Sequence, residues 1–191
     1  MNICLYGASS TTLAQSYLDS AYEMGTAMAK NGHTLVYGGG AQGVMGAAAC
    51  GMRDAGGKII GIAPSFFHVD GILFEECTEF IYTETMRERK GLMDEKADAF
   101  ILAPGGIGSF EEIFEILTLK QIGRHNRPIA ILNTNNYYAP MHQMMEHAVR
   151  ENFVKAPCLG LYKLCDTPEE VLDYIEHYDA QALDIRHLKN L

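Results

Sequence analysis

Glu112 closes the run Pro104-Gly105-Gly106-Ile107-Gly108-Ser109-Phe110-Glu111-Glu112, in which a glycine-rich turn leads into a stretch of helical period. Glycine lets a backbone approach a ligand closely, and the start of a helix points N–H groups without intrahelical partners at it, so the natural guest of such a turn is a phosphate. A carboxylate one turn beyond that cradle is available for chemistry on the bound molecule. The competing explanation is structural: Ser109 and Glu112 stand at the spacing of a capping box, a common way to open a helix. Glu111 points about 100° away around the helix and reads as a solvated neighbour.

Two further glycine turns lie upstream, Gly7-Ala8-Ser9-Ser10 and Gly38-Gly39-Gly40-Ala41-Gln42-Gly43-Val44-Met45-Gly46. Gly38, Gly40 and Gly43 match the dinucleotide fingerprint in form. That fingerprint belongs after the first strand, with an acid closing the next one. Here it follows the second strand, and the next ends Ile60-Gly61-Ile62-Ala63-Pro64 without an acid. No turn continues into Gly-Lys-Ser/Thr, so a P-loop is excluded. The one tight cationic cluster, Thr85-Met86-Arg87-Glu88-Arg89-Lys90, fits a solvated helix face. Met86, Arg89 and Met93 nevertheless share one face, which aims Arg89 from an apolar stripe into a site, where its planar fork suits phosphate.

The elements that must position these residues alternate in type. Strands are expected at about residues 2–6, 34–37, 58–63, 79–82, 99–103, 128–132 and 161–164, and helices at about 14–31, 43–55, 85–96, 109–122, 139–151 and 168–178. This order specifies a single-domain, Rossmann-like open parallel sheet of about seven strands with helices on both faces. Turns at the carboxyl edge of such a sheet are where ligands bind. Asn31-Gly32 suits a helix stop, and Thr167-Pro168-Glu169-Glu170 a helix start. Residues 1–180 form the expected domain and 181–191 a C-terminal tail of weak periodicity.

Composition removes several classes. A formal charge of -9 disfavours nucleic acid, whose binding depends on many Lys and Arg. Five scattered cysteines without a CxxC pair argue against disulfides and zinc, and the seven histidines lack ligand spacing, so no metal is expected. No apolar stretch is long enough for a membrane span, and the N-terminus lacks the pattern of a signal peptide, so a cytoplasmic location is expected. Ser9 and Ser10 lack the setting of a serine nucleophile. Met141, Met144 and Met145 on one helix suit core or subunit packing.

Taken together, these motifs resemble the LOG family of cytokinin-activating phosphoribohydrolases. Residues 104–112 are similar to its PGGxGTxxE signature, with Ser109 in place of the usual threonine; Gly38–Gly46 meets GGGxxGxMG in full, and Arg89-Lys90 corresponds to its Arg-Lys pair. The opening turn Gly7-Ala8-Ser9 is also similar, with Ala8 in place of a serine. The resemblance implies hydrolysis of the N-glycosidic bond of a nucleoside 5′-monophosphate (AMP or a cytokinin riboside 5′-monophosphate) without a cofactor. It also implies a homodimer, with Arg89 and Glu112 as the catalytic pair. The expected substrate and phosphate contacts are Gly7, Ser9, Gly39, Gly40, Gly43, Met86, Lys90, Gly105, Gly106, Ile107, Gly108 and Ser109. The label lysine decarboxylase, often attached to this family, lacks support in the residues, because no lysine occupies a recognisable Schiff-base setting. The alternative of another class is a carrier of the same fold that holds a phosphorylated ligand without cleaving it.

Overall fold

A computed structural model describes residues 1–67, 71–181 and 188. Seven short apolar runs become strands: β1 (Asn2–Tyr6), β2 (Thr34–Tyr37), β3 (Lys58–Pro64), β4 (Glu79–Thr83), β5 (Ala99–Leu102), β6 (Ile129–Leu132) and β7 (Lys163–Cys165). They form one sheet in the order β4-β3-β2-β1-β5-β6-β7, every neighbouring pair parallel. The expected open parallel sheet is therefore observed. Strands β5 and β6 are buried at every residue, as a sheet covered on both faces requires.

The helices are α1 (Gln15–Lys30), α2 (Gly43–Asp54), α3 (Met86–Lys96), α4 (Ile107–Gln121), α5 (Ala139–Arg150) and α6 (Pro168–Glu176). Met24 and Met28 of α1, Met52 of α2 and Ile175 of α6 pack on one face of the sheet with Leu35 and Ile101. Met93 of α3 and Ile113 and Leu117 of α4 pack on the other with Val36, Phe100 and Ile131. Central strands such as β1, β5 and β6 contribute alternate residues to the two layers because side chains alternate across a strand.

Punctuation explains most boundaries. Gly32, at φ +73°, stops α1, and the Thr167 hydroxyl accepts from the Glu170 N–H to open α6. Most boundaries lie within one or two residues of expectation, and two of the shifted starts have a clear local cause. The last strand starts at Lys163, because Ala156–Leu161 winds into 3-10 turns around Pro157. Helix α4 starts at Ile107, with Gly106 as its N-cap and no side-chain cap, so Ser109 lies inside the first turn and the capping-box arrangement does not form. The expected tail falls mostly outside the described residues; within it Leu188 is buried.

Strand order reverses between β1 and β5. Chains leave these two neighbours in opposite lateral directions, which opens a crevice at their carboxyl ends.

Candidate active site

Three turns meet at that crevice. They follow β1, β2 and β5, and hydrogen bonds tie them together: the Ala8 N–H donates to the Pro104 carbonyl at 3.1 Å, and the Met45 N–H to the Ala8 carbonyl at 3.1 Å. A cleft of about 650 Å³ opens above them, within the size range of small-molecule sites. Gly7, Ser9, Gly40, Gly106, Gly108 and Ser109 give it a floor rich in backbone, while Met45, Phe67, Ile72, Leu73 and Met86 give it an apolar wall. Ile72 and Leu73 belong to that wall because their segment pairs with the second turn: Ala41 N–H donates to the Ile72 carbonyl at 2.9 Å, and Phe74 N–H to the Gly39 carbonyl at 2.8 Å.

Arg89 and Glu112 face each other across the floor, joined by an Nη1–Oε1 hydrogen bond of 2.8 Å. Their side chains are only 9% and 11% exposed, which removes this pair from the class of weak surface ion pairs. Arg89 comes from the first turns of α3, a helix opened by the Thr85 hydroxyl, which accepts from the Glu88 N–H. Its Nε donates to the Ile62 carbonyl on β3 at 3.2 Å, fixing the plane of the guanidinium. Gly38 makes the passage possible, since a Cβ there would lie 2.1 Å from Arg89 Nη2.

Glu112 comes from the second turn of α4. Burial pushes its carboxyl above the ordinary glutamate value, and the Arg89 charge and hydrogen bond partly oppose that shift. The fold therefore holds this carboxylate ionised at some cost, beside a cation, in a nearly dry place. For this group the contribution to stability is fully present below the ordinary glutamate value and is lost as pH rises through the elevated one. Such a carboxylate can stabilise a positive charge developing on a bound molecule or take a proton from water.

The start of α4 is the part of the cleft whose chemistry suits an anion. With Gly106 as N-cap and no side chain folded back over it, the first N–H groups of the helix lack intrahelical partners, and Gly106, Gly108 and Ser109 line the cleft there. Gly105 lies just behind; a Cβ on it would meet Ser109 Oγ at 2.2 Å.

The structure thus brings Gly7, Ser9, Gly40, Met86, Arg89, Gly106, Gly108, Ser109 and Glu112 to one cleft. The other expected contacts stand outside its lining. Gly39, at φ +74°, faces Phe80, and Gly43, at φ +64°, lies against the Ala8 and Ser10 carbonyls. Both shape the turn. Ile107 is 87% exposed, on the outer side of α4. Lys90 bonds to Glu111 and Glu115 at 2.5 and 2.6 Å, and those carboxylates push its ammonium up. It lines a small separate cavity behind Glu112 together with Tyr6 and Asp94. Among the described residues, no cluster of three or more His, Cys, Asp or Glu is arranged to hold a metal ion.

Sequence reasoning missed the role of Gly38, the positioning carbonyl of Ile62, and the apolar wall of Met45, Phe67, Ile72 and Leu73. Gly38 opens the second glycine run, so its position carried a signal. Phe67 ends a single 3-10 turn and Ile72 lies in a turn outside any strand or helix, so neither has a period to place it.

Comparison with known proteins identifies the family. Residues 45–175 match the domain model described as possible lysine decarboxylase. The cytokinin riboside 5′-monophosphate phosphoribohydrolase LOG of Oryza sativa subsp. japonica is 35% identical over 176 residues, covering 92% of this chain and 73% of the rice protein. The cytokinin riboside 5′-monophosphate phosphoribohydrolase of Rhodococcoides fascians is 42% identical over 139 residues, covering 72% of this chain and 70% of that protein. Among solved structures, the molybdenum cofactor carrier protein of Chlamydomonas reinhardtii superposes with a TM-score of 0.71 at 20% identity, covering 92% of this chain and 95% of that one. At that identity the likeness concerns the fold alone. Sequence identity across most of the chain, together with the glycine turns that build the cleft, places the protein in the LOG family of phosphoribohydrolases.

Proposed function

We propose that this protein hydrolyses the N-glycosidic bond of a nucleoside 5′-monophosphate, AMP or a cytokinin riboside 5′-monophosphate, to the free base and ribose 5-phosphate. The observation that carries this reading is the buried Arg89–Glu112 pair, opening into the same cleft as the uncapped start of α4. The 5′-phosphate binds at Gly106–Ser109, where the N–H groups and the Ser109 hydroxyl act as donors. The base lies toward Met45, Phe67, Ile72 and Met86.

Cleavage of the bond between C1′ and the base nitrogen passes through an oxocarbenium-like sugar. The base leaves with the bonding electron pair and takes up a proton from solvent, while water adds to C1′ and the proton it loses returns to solvent by way of Glu112. Glu112 stabilises the positive sugar and accepts the proton of the attacking water. Arg89 fixes the Glu112 carboxylate through Nη1 and adds positive charge near the phosphate. The names of the rice and Rhodococcoides relatives support this activity. A carrier gains nothing from an ionised carboxylate held at a cost beside its anion, which favours hydrolysis over carriage.

Incubation with AMP is expected to release adenine and ribose 5-phosphate in equal amounts. Glu112→Gln should lower kcat by about 10²-fold. Protection of the fold by AMP without release of adenine would favour the carrier, and retention of more than about a tenth of the activity by Glu112→Gln would remove Glu112 from the chemistry.

The proposal extends to a homodimer. Helix α5 has no buried residue, and Met144 and Phe153 are 67% and 86% exposed; nearby, Phe114, Met145 and Val154 line an apolar groove of about 200 Å³ between α4 and the 3-10 turns before β7. A second copy of the chain is the occupant that the family resemblance implies. The five cysteines, all free thiols, suit a reducing compartment such as the cytoplasm.

A further inference from the structure

The loop that forms the anion site is held from behind. The carbonyl of Ala103 accepts from the Tyr138 hydroxyl at 2.9 Å, and that of Gly105 accepts from the Tyr137 hydroxyl at 2.7 Å. Between them, the Pro104 carbonyl accepts from Ala8 N–H, and the next in line, Gly106, accepts from Phe110 N–H. Four successive carbonyls thus have donors that keep them occupied. A carbonyl turned into the cleft would set a partial negative charge against a bound anion.

Both tyrosines come from one turn after β6, whose backbone is unusual. Asn135 and Asn136 adopt φ of 55° and 58°, a left-handed pair of non-glycine residues. Such residues persist only where their surroundings over-determine them. Here Asn133 Oδ1 accepts from Tyr138 N–H at 2.9 Å, Asn135 Nδ2 donates to Ser16 Oγ at 2.8 Å, and Thr134 and Ser20 share a hydroxyl bond of 2.8 Å. The two α1 serines pin the turn, and the left-handed pair swings consecutive tyrosines back toward α4. Tyr17, Tyr137, Tyr138 and Phe110 then stack edge to face in sequence.

We infer that Tyr137 and Tyr138 are positioning residues for the phosphate cradle: their hydroxyls hold the Ala103 and Gly105 carbonyls away from the cleft, leaving N–H groups to face the anion. This rests on the phosphate-binding reading above. It assigns the turn after β6 a share in affinity for the phosphate, distinct from the chemistry at Glu112.

Tyr137 is 39% exposed, so Tyr137→Phe removes one hydroxyl without opening the core; the buried Tyr138→Phe is the second variant. Binding of AMP, inorganic phosphate and adenosine is measured by calorimetry, with kcat and KM for AMP alongside. For Tyr137→Phe we expect AMP and phosphate each to bind about five- to tenfold more weakly, KM to rise by a similar factor, kcat to stay within about twofold, and adenosine binding to hold. Tyr138→Phe should act in the same direction. Unchanged affinity for AMP and phosphate in Tyr137→Phe, or equal weakening of adenosine, overturns the inference. If the wild-type protein binds AMP without releasing adenine, the hydrolase reading fails while the binding data still decide the role of the tyrosines. A wild-type protein that binds neither AMP nor phosphate overturns both.

Discussion

A carboxylate taken out of water resists ionisation, and Glu112 shows the conflict that results. Burial raises its pKa above the ordinary glutamate value while Arg89 pulls the other way. The ionised form, which the proposed chemistry requires, is therefore lost as pH falls through a value higher than an exposed glutamate would have. A carbon-13 NMR titration of the Glu112 carboxyl in the free protein should find its midpoint above the usual value of about 4.3. Arg89→Ala should move it higher still, because burial then acts unopposed. A midpoint at or below the ordinary value would mean that Arg89 outweighs burial. The identity of this pair was legible in the sequence, since each residue lies within a motif. Its 2.8 Å contact was not, because the two residues lie on separate helices and meet only when α3 and α4 pack on the same face of the sheet.

At the scale of elements, the site depends on how closely α3 approaches the turn after β2. Arg89 reaches Glu112 past Gly38, where no side chain intervenes. Gly38→Ala should therefore displace the guanidinium, lowering kcat/KM for AMP about tenfold or more while shifting Tm by only a few degrees, as the added methyl meets the end of a flexible side chain. Unchanged kcat/KM would show that Arg89 can yield without consequence. The seven strands and six helices were readable from periodicity and punctuation to within a few residues. The start of α4 was misread because Ser109 and Glu112 have the spacing of a capping box. Gly106 caps the helix three residues earlier through backbone conformation, which leaves no side-chain pattern to read.

For the molecule as a whole, the proposed homodimer accounts for the exposed apolar side chains on and after α5. Burying Met144 and Phe153 against a second copy would remove large side chains from water, at roughly 25 cal/mol per Å² of apolar area. Light scattering coupled to size exclusion should find the wild-type protein at twice the monomer mass. A Met144→Asp/Phe153→Asp double variant should run as a monomer, since charges at an apolar interface lack partners. A monomeric wild type would overturn the homodimer.

The sequence by itself determined the parallel sheet, the three glycine turns and the two residues proposed for the chemistry. The sheet and the turns rest on local patterns, alternation and period for the elements and glycine with helix start for the proposed anion site, while the pair rests on the family resemblance. Only the tertiary structure decided which of the expected contacts share the cleft. It drew Lys90 away to Glu111 and Glu115, gave Gly39 and Gly43 to the packing of the turn, brought Phe67 and Ile72 into the lining, and set the two tyrosines after β6 behind the loop. The physical reason is the reversal of strand order between β1 and β5. It gathers loops far apart along the chain at one crevice, and what each residue faces there is set by neighbours that no local pattern names.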